Sequence, residues 1–188
     1  MVPLAGGSAD PGKAMKWVNH VAIAGAVSAV WRPELVPVAV LGATAPDWLE
    51  WGLKLIGYRI KHRTVTHYVT SWAFGLFFGL VVWDWHHAIA AFCAGGLSHV
   101  FCDALTVQGV PLGWWSDRRF HLFGGRLRTG GLGEYFIAGG VVAACLGLAL
   151  LTRHFDGGFS PFFFDWPQLY QDGLIDGAEW KKNRFRWL

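Results

Sequence analysis

Residues 64–83 form an apolar run in which His67 is the only acidic or basic side chain. A helix needs roughly 20 consecutive, predominantly apolar residues to cross a bilayer, and this run has that length. Only 15% of the chain is charged, whereas a soluble domain carries about 25%. Because a lipid-facing surface accounts for such a deficit, the sequence predicts an integral membrane protein.

Further apolar runs predict an all-α fold, a polytopic membrane helical bundle with about four membrane-embedded helical elements. Residues 17–31 and 35–46 are short for full spans, so we expect a helical hairpin or a re-entrant element there. Residues 88–107 should form a return helix after the span at 64–83, and residues 135–152 form the clearest remaining span. The amphipathic stretch 48–63 predicts an interfacial segment, and the glycine- and arginine-rich stretch 109–133 predicts a long loop.

The domain organisation follows from these runs. We expect a flexible N-terminus at 1–16, a membrane-embedded domain at 17–152 and an aromatic, basic interfacial tail at 153–188. The basic clusters at 54–63 and 118–128 are separated by one helical hairpin, so they lie on one side, which the positive-inside rule assigns to the cytoplasm. Such clusters meet anionic lipid headgroups. No nucleic-acid partner is expected, because an apolar chain has little soluble surface for a duplex.

Five ionisable residues lie within or beside the apolar runs, where a charge costs roughly 2.5–3.5 kcal/mol on insertion scales. Each of them needs a partner. His99 and Asp103 have i, i+4 spacing, which places both side chains on one helix face, within reach of one metal ion. The full set of candidate metal ligands is His20, Asp47, His67, His99 and Asp103.

Each candidate ligand also has a structural interpretation. His99 and Asp103 could form a simple hydrogen bond, Asp47 after Pro46 could cap the next helix, and His20 could bond to a backbone carbonyl. Together, however, three imidazoles and two carboxylates suit Zn²⁺, with Mn²⁺ as an alternative, and one or two ions.

Three further residues are candidates for a catalytic role. Arg63 shares a helical face with His67 in the predicted span and could neutralise an anionic group, or it could anchor headgroups. Thr66 could cap that helix or bind an anion. Glu134, at the start of the last span, could be a second-metal ligand or a general base, or a carboxylate that interacts with the helix dipole.

Several motifs, in order and spacing, resemble the YdjM type of LexA-regulated inner-membrane proteins, a family described as metal-dependent hydrolases. The likeness runs from about residue 17 to 140 and includes the early His20 and the pair Pro46-Asp47. Its other matching motifs are His62-Arg63-x-x-Thr66-His67, Gly96-Leu97-Ser98-His99-x-x-x-Asp103-Ala104-Leu105-Thr106, Gly109-Val110-Pro111-Leu112-x-Trp114, Arg119-Phe120 and Glu134-x-Phe136.

This resemblance implies a protein of the bacterial inner membrane with an α-helical fold and hydrolase activity. A more distant similarity is to the zinc-dependent phospholipase C superfamily, in which Asp47, His67, His99 and Asp103 match the order of ligands to one zinc. His20 resembles the early ligand of a neighbouring zinc, but Gly130 stands where the superfamily has a later His. The similarity implies a phosphoester or phospholipid-like substrate.

Three functions are therefore compatible with the sequence. The first is a membrane-bound metal-dependent hydrolase, in which Arg63 steadies the anionic group. The second is a non-enzymatic membrane subunit or assembly factor with a structural metal, which binds a protein partner through the tail 153–188. The third, a haem or ion-conducting protein, fits less well, because carboxylates beside the histidines favour hard cations.

Overall fold

A computed structural model of the chain describes residues 16–127, 131–152, 170–173 and 176–178. Most of the predicted N-terminus and tail lie outside these residues. The described part is mostly helical and contains five α-helices and one two-stranded hairpin. In chain order these are α1 (Trp17–Trp31), α2 (Val36–Leu55), α3 (Val69–Val81), α4 (Ala88–Ala104), β1 (Val110–Gly113), β2 (Ser116–Phe120) and α5 (Leu132–Leu151).

Helix α2 is longer than the sequence predicted. It continues through Pro46 to Leu55, so the expected break between 35–46 and 48–63 is wrong, and Asp47 lies inside a helix instead of capping one. Proline lacks the N–H that would bond to the carbonyl of Gly42. The helix nevertheless continues, because tertiary packing contributes more to helix stability than local propensity does, and Pro46 is fully buried.

The close packing of α2 on α4 forms the centre of the fold. A Cβ atom on Gly42 would lie 2.0 Å from the carbonyl oxygen of Phe92, and one on Gly95 would lie 2.0 Å from that of Ala39. Only glycine allows two backbones to approach this closely. Helix α3 packs on the other side of α4, while α1 packs against α2 and α5.

The predicted span at 64–83 begins as a helix only at Val69. Before it, Val65–His67 form a 3-10 turn, and Arg63 has a φ of 57°. The expectation that Arg63 and His67 share a helical face is therefore wrong. The indole of Trp72 in α3 donates a hydrogen bond of 2.8 Å to the carbonyl of Thr66, which holds the turn against the start of the helix.

The stretch that was predicted to be a long loop contains the β1–β2 hairpin, so the fold is not purely α-helical. Val110 pairs with Phe120 and Gly113 with Ser116, and the register is irregular between Pro111 and Gly113. The hairpin forms because Val110 is completely buried and packs into the apolar cluster between α3 and α4.

Among the described helices, only α5 is long and apolar enough to cross a membrane, judged by length and composition. Just 17% of its most apolar segment is buried in protein, unlike the core helix of a soluble domain. Helices α1, α3 and α4 are apolar but shorter than 18 residues. Among the described helices, length and composition therefore support one membrane span, and they do not confirm the predicted bundle of four membrane-embedded elements.

Candidate metal centre

Five buried side chains from four separate parts of the chain lie together at one end of the helices. His20 comes from α1, Asp47 from α2, His67 from the turn before α3, and His99 and Asp103 from α4. Four of them are at most 1% exposed and Asp47 is 7% exposed. They form two overlapping groups of possible metal ligands, Asp47 with His67 and His99, and His20 with His99 and Asp103.

Two imidazole nitrogens and two carboxylate oxygens of this cluster lie near one another. Nε2 of His67 lies 3.5 Å from Oδ1 of Asp47 and 3.8 Å from Oδ2 of Asp103. Nε2 of His99 lies 4.0 Å and 3.5 Å from the same two oxygens. Ligands of a tetrahedral zinc with bonds of about 2.0–2.1 Å lie about 3.3 Å apart. These distances are slightly wider than those between the ligands of a bound zinc. The sets whose ligand atoms all lie close together are Asp47, His67 and His99, and His20, His99 and Asp103.

The same four atoms lack hydrogen-bond partners among the residues that the structure describes. Their mutual distances exceed the roughly 2.7–2.9 Å of a charge-assisted hydrogen bond. Buried polar atoms are nearly always paired, so four unpaired atoms facing one another indicate a missing partner. A divalent cation is a partner that imidazole and carboxylate atoms fit, and the atoms of Asp47, His67 and His99 lie close enough together to hold one.

The two carboxylates are held in place by their other oxygens. Oδ2 of Asp47 accepts a hydrogen bond of 2.6 Å from the indole of Trp17. Oδ1 of Asp103 accepts one of 2.6 Å from Nη2 of Arg63. Each carboxylate thus binds a hydrogen-bond donor with one oxygen and leaves the second oxygen for an ion. Trp17 and Arg63 orient these carboxylates in the way that outer partners orient metal ligands.

The two imidazoles are oriented in the same way. Nδ1 of His99 lies 2.7 Å from the carbonyl oxygen of Ala43, which can only accept, so Nδ1 carries the proton. Nδ1 of His67 lies 3.0 Å from Oγ1 of Thr66. Burial lowers the pKa of His67, although the adjacent Asp47 opposes the shift. A neutral ring with a protonated Nδ1 presents the Nε2 lone pair to a metal.

His20 lies beside these four residues. Its ring stacks on that of His99 with centroids 3.9 Å apart, and Nε2 lies 3.7 Å from Oδ1 of Asp103. Neither ring nitrogen has a hydrogen-bond partner in the described region. His20 therefore has a ring nitrogen that could hold an ion together with His99 and Asp103.

Arg63 occupies the wall of the centre, although it does not lie on a helix. Its side chain is 1% exposed, and Nη1 donates to Oγ1 of Thr106 at 3.1 Å while Nη2 binds Asp103. Burial lowers the pKa of Arg63, and the Asp103 carboxylate opposes this effect. The guanidinium is thus the counter-charge of Asp103.

Thr66 and Glu134 differ in their placement. The Thr66 hydroxyl contacts His67 and does not cap α3. The Glu134 carboxylate, in the first turn of α5, accepts hydrogen bonds from the side chain of Asn19 at 2.5 Å and from the backbone N–H of Lys16 at 2.7 Å. It lies outside both ligand groups, and a role as a second-metal ligand or general base stays a prediction.

Sequence analysis missed two supporting residues. The first is Trp17, which donates to Asp47. It was missed because a tryptophan at the start of an apolar run suggests a ring at the bilayer interface and not a hydrogen-bond donor to a carboxylate. The second is Glu50, which is 3% exposed and accepts from Lys54 at 2.5 Å and His62 at 2.9 Å. The i, i+3 spacing of Asp47 and Glu50, which puts both on one face of α2, was the signal that could have found it.

A comparison with protein families identifies the family of this chain. The family model of the YdjM inner membrane protein matches residues 15–155. The chain belongs to the YdjM inner membrane protein family. No curated protein and no solved structure matches the sequence. The match covers all five residues of the centre, so this YdjM-family protein carries them within its family domain.

Trp17 supports a test of how the centre is held together. Replacing Trp17 with Phe should weaken metal binding about 10–100-fold, the usual cost of losing a partner of a metal ligand. The physical reason is that Oδ2 of Asp47 loses the hydrogen bond donated by the indole, and the carboxylate can rotate away. The measurement is a competition of the purified protein with a chelator of known zinc affinity.

The same change at Trp31 provides the control for this experiment. Trp31 ends α1 at the opposite end from the centre and is 42% exposed. Trp31→Phe should leave metal affinity unchanged. Equal affinity in Trp17→Phe and the wild type would show that the indole does not orient Asp47.

Proposed function

We propose that this YdjM-family protein is a membrane-bound metal-dependent hydrolase that acts on a phosphoester or phospholipid-like substrate. The observation that carries the proposal is the set of four buried ligand atoms on Asp47, His67, His99 and Asp103, which face one another without partners. Two imidazoles and two carboxylates are ligands suited to Zn²⁺ or Mn²⁺.

Each residue has a defined task in this proposal. When bound, a Zn²⁺ or Mn²⁺ ion supplies a Lewis acid that polarises a phosphoryl oxygen and activates water for attack. Asp47, His67, His99 and Asp103 hold the first ion, and His20 completes a second site with Asp103. Arg63 keeps Asp103 ionised and oriented, and brings a permanent positive charge to the edge of the centre.

The distribution of aromatic residues supports a location of the centre at the membrane surface. Trp17, Trp48 and Trp51 are exposed on the helices that carry His20 and Asp47, while Trp31 is exposed at the far end of α1 and Trp83 just after α3. Tryptophan is enriched at both bilayer interfaces. We infer a multi-pass protein whose active-site face is on the cytoplasmic side, where its basic loops are expected.

The lengths of the helices suggest how they fit a bilayer. At 1.5 Å per residue, the 15 residues of α1 extend roughly 22 Å, which is less than the roughly 30 Å of a typical hydrocarbon core. Short helices are accommodated by local thinning or by packing inside the protein. We therefore place α1, α3 and α4 within the membrane around α2, with α5 at the lipid-facing edge.

Metal analysis combined with a hydrolysis screen tests the function. Wild-type protein purified in detergent without added metal should contain one or two divalent ions per chain and should hydrolyse members of a panel of phosphoesters and phospholipids. Asp103→Asn should lower the turnover rate at least about a hundredfold, equivalent to about 3 kcal/mol, because a neutral amide is a weaker ligand for a divalent cation than a carboxylate. Chelator treatment should abolish activity, and added Zn²⁺ or Mn²⁺ should restore it.

The control is Glu34→Gln, which removes a carboxylate in a partly exposed pair with Arg32, far from the centre. It should have wild-type metal content and activity. Protein that contains no divalent metal and gains none on incubation with Zn²⁺ or Mn²⁺ would refute the proposal.

One observation favours a second function, that of a non-enzymatic membrane subunit with a structural metal. His67, His99 and Asp103 have no exposed surface, and structural zinc sites are closed in this way. Metal that is retained without turnover of any substrate in the panel would support this alternative over the hydrolase.

A further inference from the structure

A polar pocket opens beside the candidate metal centre. It has a volume of about 410 Å³ and is lined by His62, Arg63, Gln108 and Arg119. Arg63 is shared, because its guanidinium binds Asp103 of the centre while the residue also forms part of the pocket wall. The pocket and the possible ion are therefore separated by one carboxylate and one guanidinium.

The chemistry of the lining is that of an anion site. Two guanidiniums contribute donors and positive charge, His62 adds an imidazole and Gln108 adds an amide. Among the described residues, two carboxylates contact the lining residues. One is Asp103, which pairs with the guanidinium of Arg63, and the other is Glu50, whose two oxygens are both occupied. Oε1 accepts from Lys54, while Oε2 accepts from His62 and from the backbone N–H of Arg63. Glu50 thus has no hydrogen bond to either guanidinium. The terminal nitrogens of Arg63 donate to Thr106 and Asp103, so the exposed guanidinium of Arg119 is the group best placed to bind a further anion.

A hydrogen bond joins the two arginines of the lining. Nη1 of Arg119 donates a hydrogen bond of 3.0 Å to the backbone carbonyl of Arg63. Arg63 is buried, and its Nε has no partner among the described residues. An unpaired, buried N–H of a cation is costly, so Arg63, a residue of the pocket lining, has one donor that still needs an acceptor.

We propose that this pocket binds a phosphate group of the substrate other than the one at the metal centre, so that the substrate carries two phosphate groups. The proposal rests on the proposed function, because it assigns that function a substrate class, an organic diphosphate or a phosphoester with a further phosphate. Guanidiniums match phosphate oxygens in geometry and charge. The shared residue Arg63 places the second phosphate next to the reacting one.

Binding of inorganic phosphate to the metal-free protein tests the pocket alone. Full-length protein in detergent is treated with a chelator, and calorimetry then measures its affinity for inorganic phosphate. Arg119→Ala should weaken binding at least about tenfold, the loss expected for a charge-assisted hydrogen bond. Arg118→Ala is the matched control, because Arg118 is exposed and adjacent on the same strand but does not line the pocket. It should bind phosphate as the wild type does.

A second variant distinguishes loss of phosphate binding from misfolding of Arg119→Ala. Arg119→Lys keeps the positive charge and should weaken binding less than Arg119→Ala. Absence of saturable phosphate binding by the metal-free wild type, or equal affinity in Arg119→Ala and Arg118→Ala, would overturn the proposal. Because no metal is present, this result is independent of whether the centre binds an ion or hydrolyses a substrate.

A competition experiment identifies the source of the phosphate. Phosphatidate in mixed micelles is tested against inorganic phosphate, with micelles that contain only phosphatidylcholine as the reference. Competition by phosphatidate alone supports a lipid headgroup as the occupant, and absence of competition supports a soluble phosphate compound. Loss of competition in Arg119→Ala confirms that the headgroup binds in this pocket.

Discussion

Replacing His99 with alanine is expected to reduce bound metal to below about a tenth of the wild-type amount, since even outer partners of metal ligands are worth about 10–100-fold in affinity. Hydrolytic activity should be lost with it. His99 has the largest effect because it is the residue that both possible ligand groups share. Its Nε2 lies within 4.0 Å of a carboxylate oxygen of both Asp47 and Asp103. Elemental analysis and the phosphoester assay on the same preparation measure the two losses.

His121→Ala is the control for this prediction. His121 lies just after β2, its ring nitrogen is 3.3 Å from the carbonyl of Thr106, and it belongs to neither ligand group. This variant should retain its metal. A His99→Ala protein with unchanged metal content and full activity would contradict the metal centre as described. A circular dichroism spectrum of each variant separates loss of ligand from loss of fold.

Replacing Gly95 with alanine is expected to destabilise the protein by about 1–3 kcal/mol, the usual cost of overpacking a well-packed contact. The added Cβ would lie 2.0 Å from the carbonyl oxygen of Ala39 and 2.8 Å from the backbone nitrogen of Ala43. Both neighbours are rigid helix backbone, so α2 and α4 must separate. Ala43 also supplies the carbonyl that orients His99, so metal affinity should fall together with the thermal midpoint.

Gly139→Ala provides the comparison, because it makes the same chemical change in α5. No atom lies within 4 Å of the Cβ that it would add. Alanine is the better helix former by about 0.8–1.0 kcal/mol, so the midpoint should stay the same or rise. If the two variants melt at the same temperature and bind metal equally, the α2–α4 contact does not position the centre.

The candidate ligands were recognisable in the sequence because ionisable groups are expensive in apolar segments. His99 and Asp103 were the clearest, since helical spacing fixes their relation and α4 forms as predicted. Their convergence with His20, Asp47 and His67 could be expected only from the shared need for a partner. No local pattern specifies contacts between residues as distant in the chain as His20 and Asp103.

The errors arose where tertiary contacts override local signals. Proline usually ends a helix, yet packing on α4 carries α2 through Pro46. Arg63 and His67 have the spacing of one helix face, but a left-handed backbone at Arg63 places them in an irregular segment. The β1–β2 hairpin follows a glycine-rich pattern that also suits a loop. Its formation depends on burial of Val110, which the sequence does not reveal.

The hydrogen bonds of Glu134 have a consequence for where catalysis would occur. They join the first turn of α5 to Lys16 and Asn19, at the start of the helix that carries His20. Helix α5 is the described helix with the length and composition to cross a bilayer. If α5 spans the bilayer, its position along the membrane normal sets the depth of the imidazoles and carboxylates, because these hydrogen bonds tie the helix that carries His20 to the start of α5.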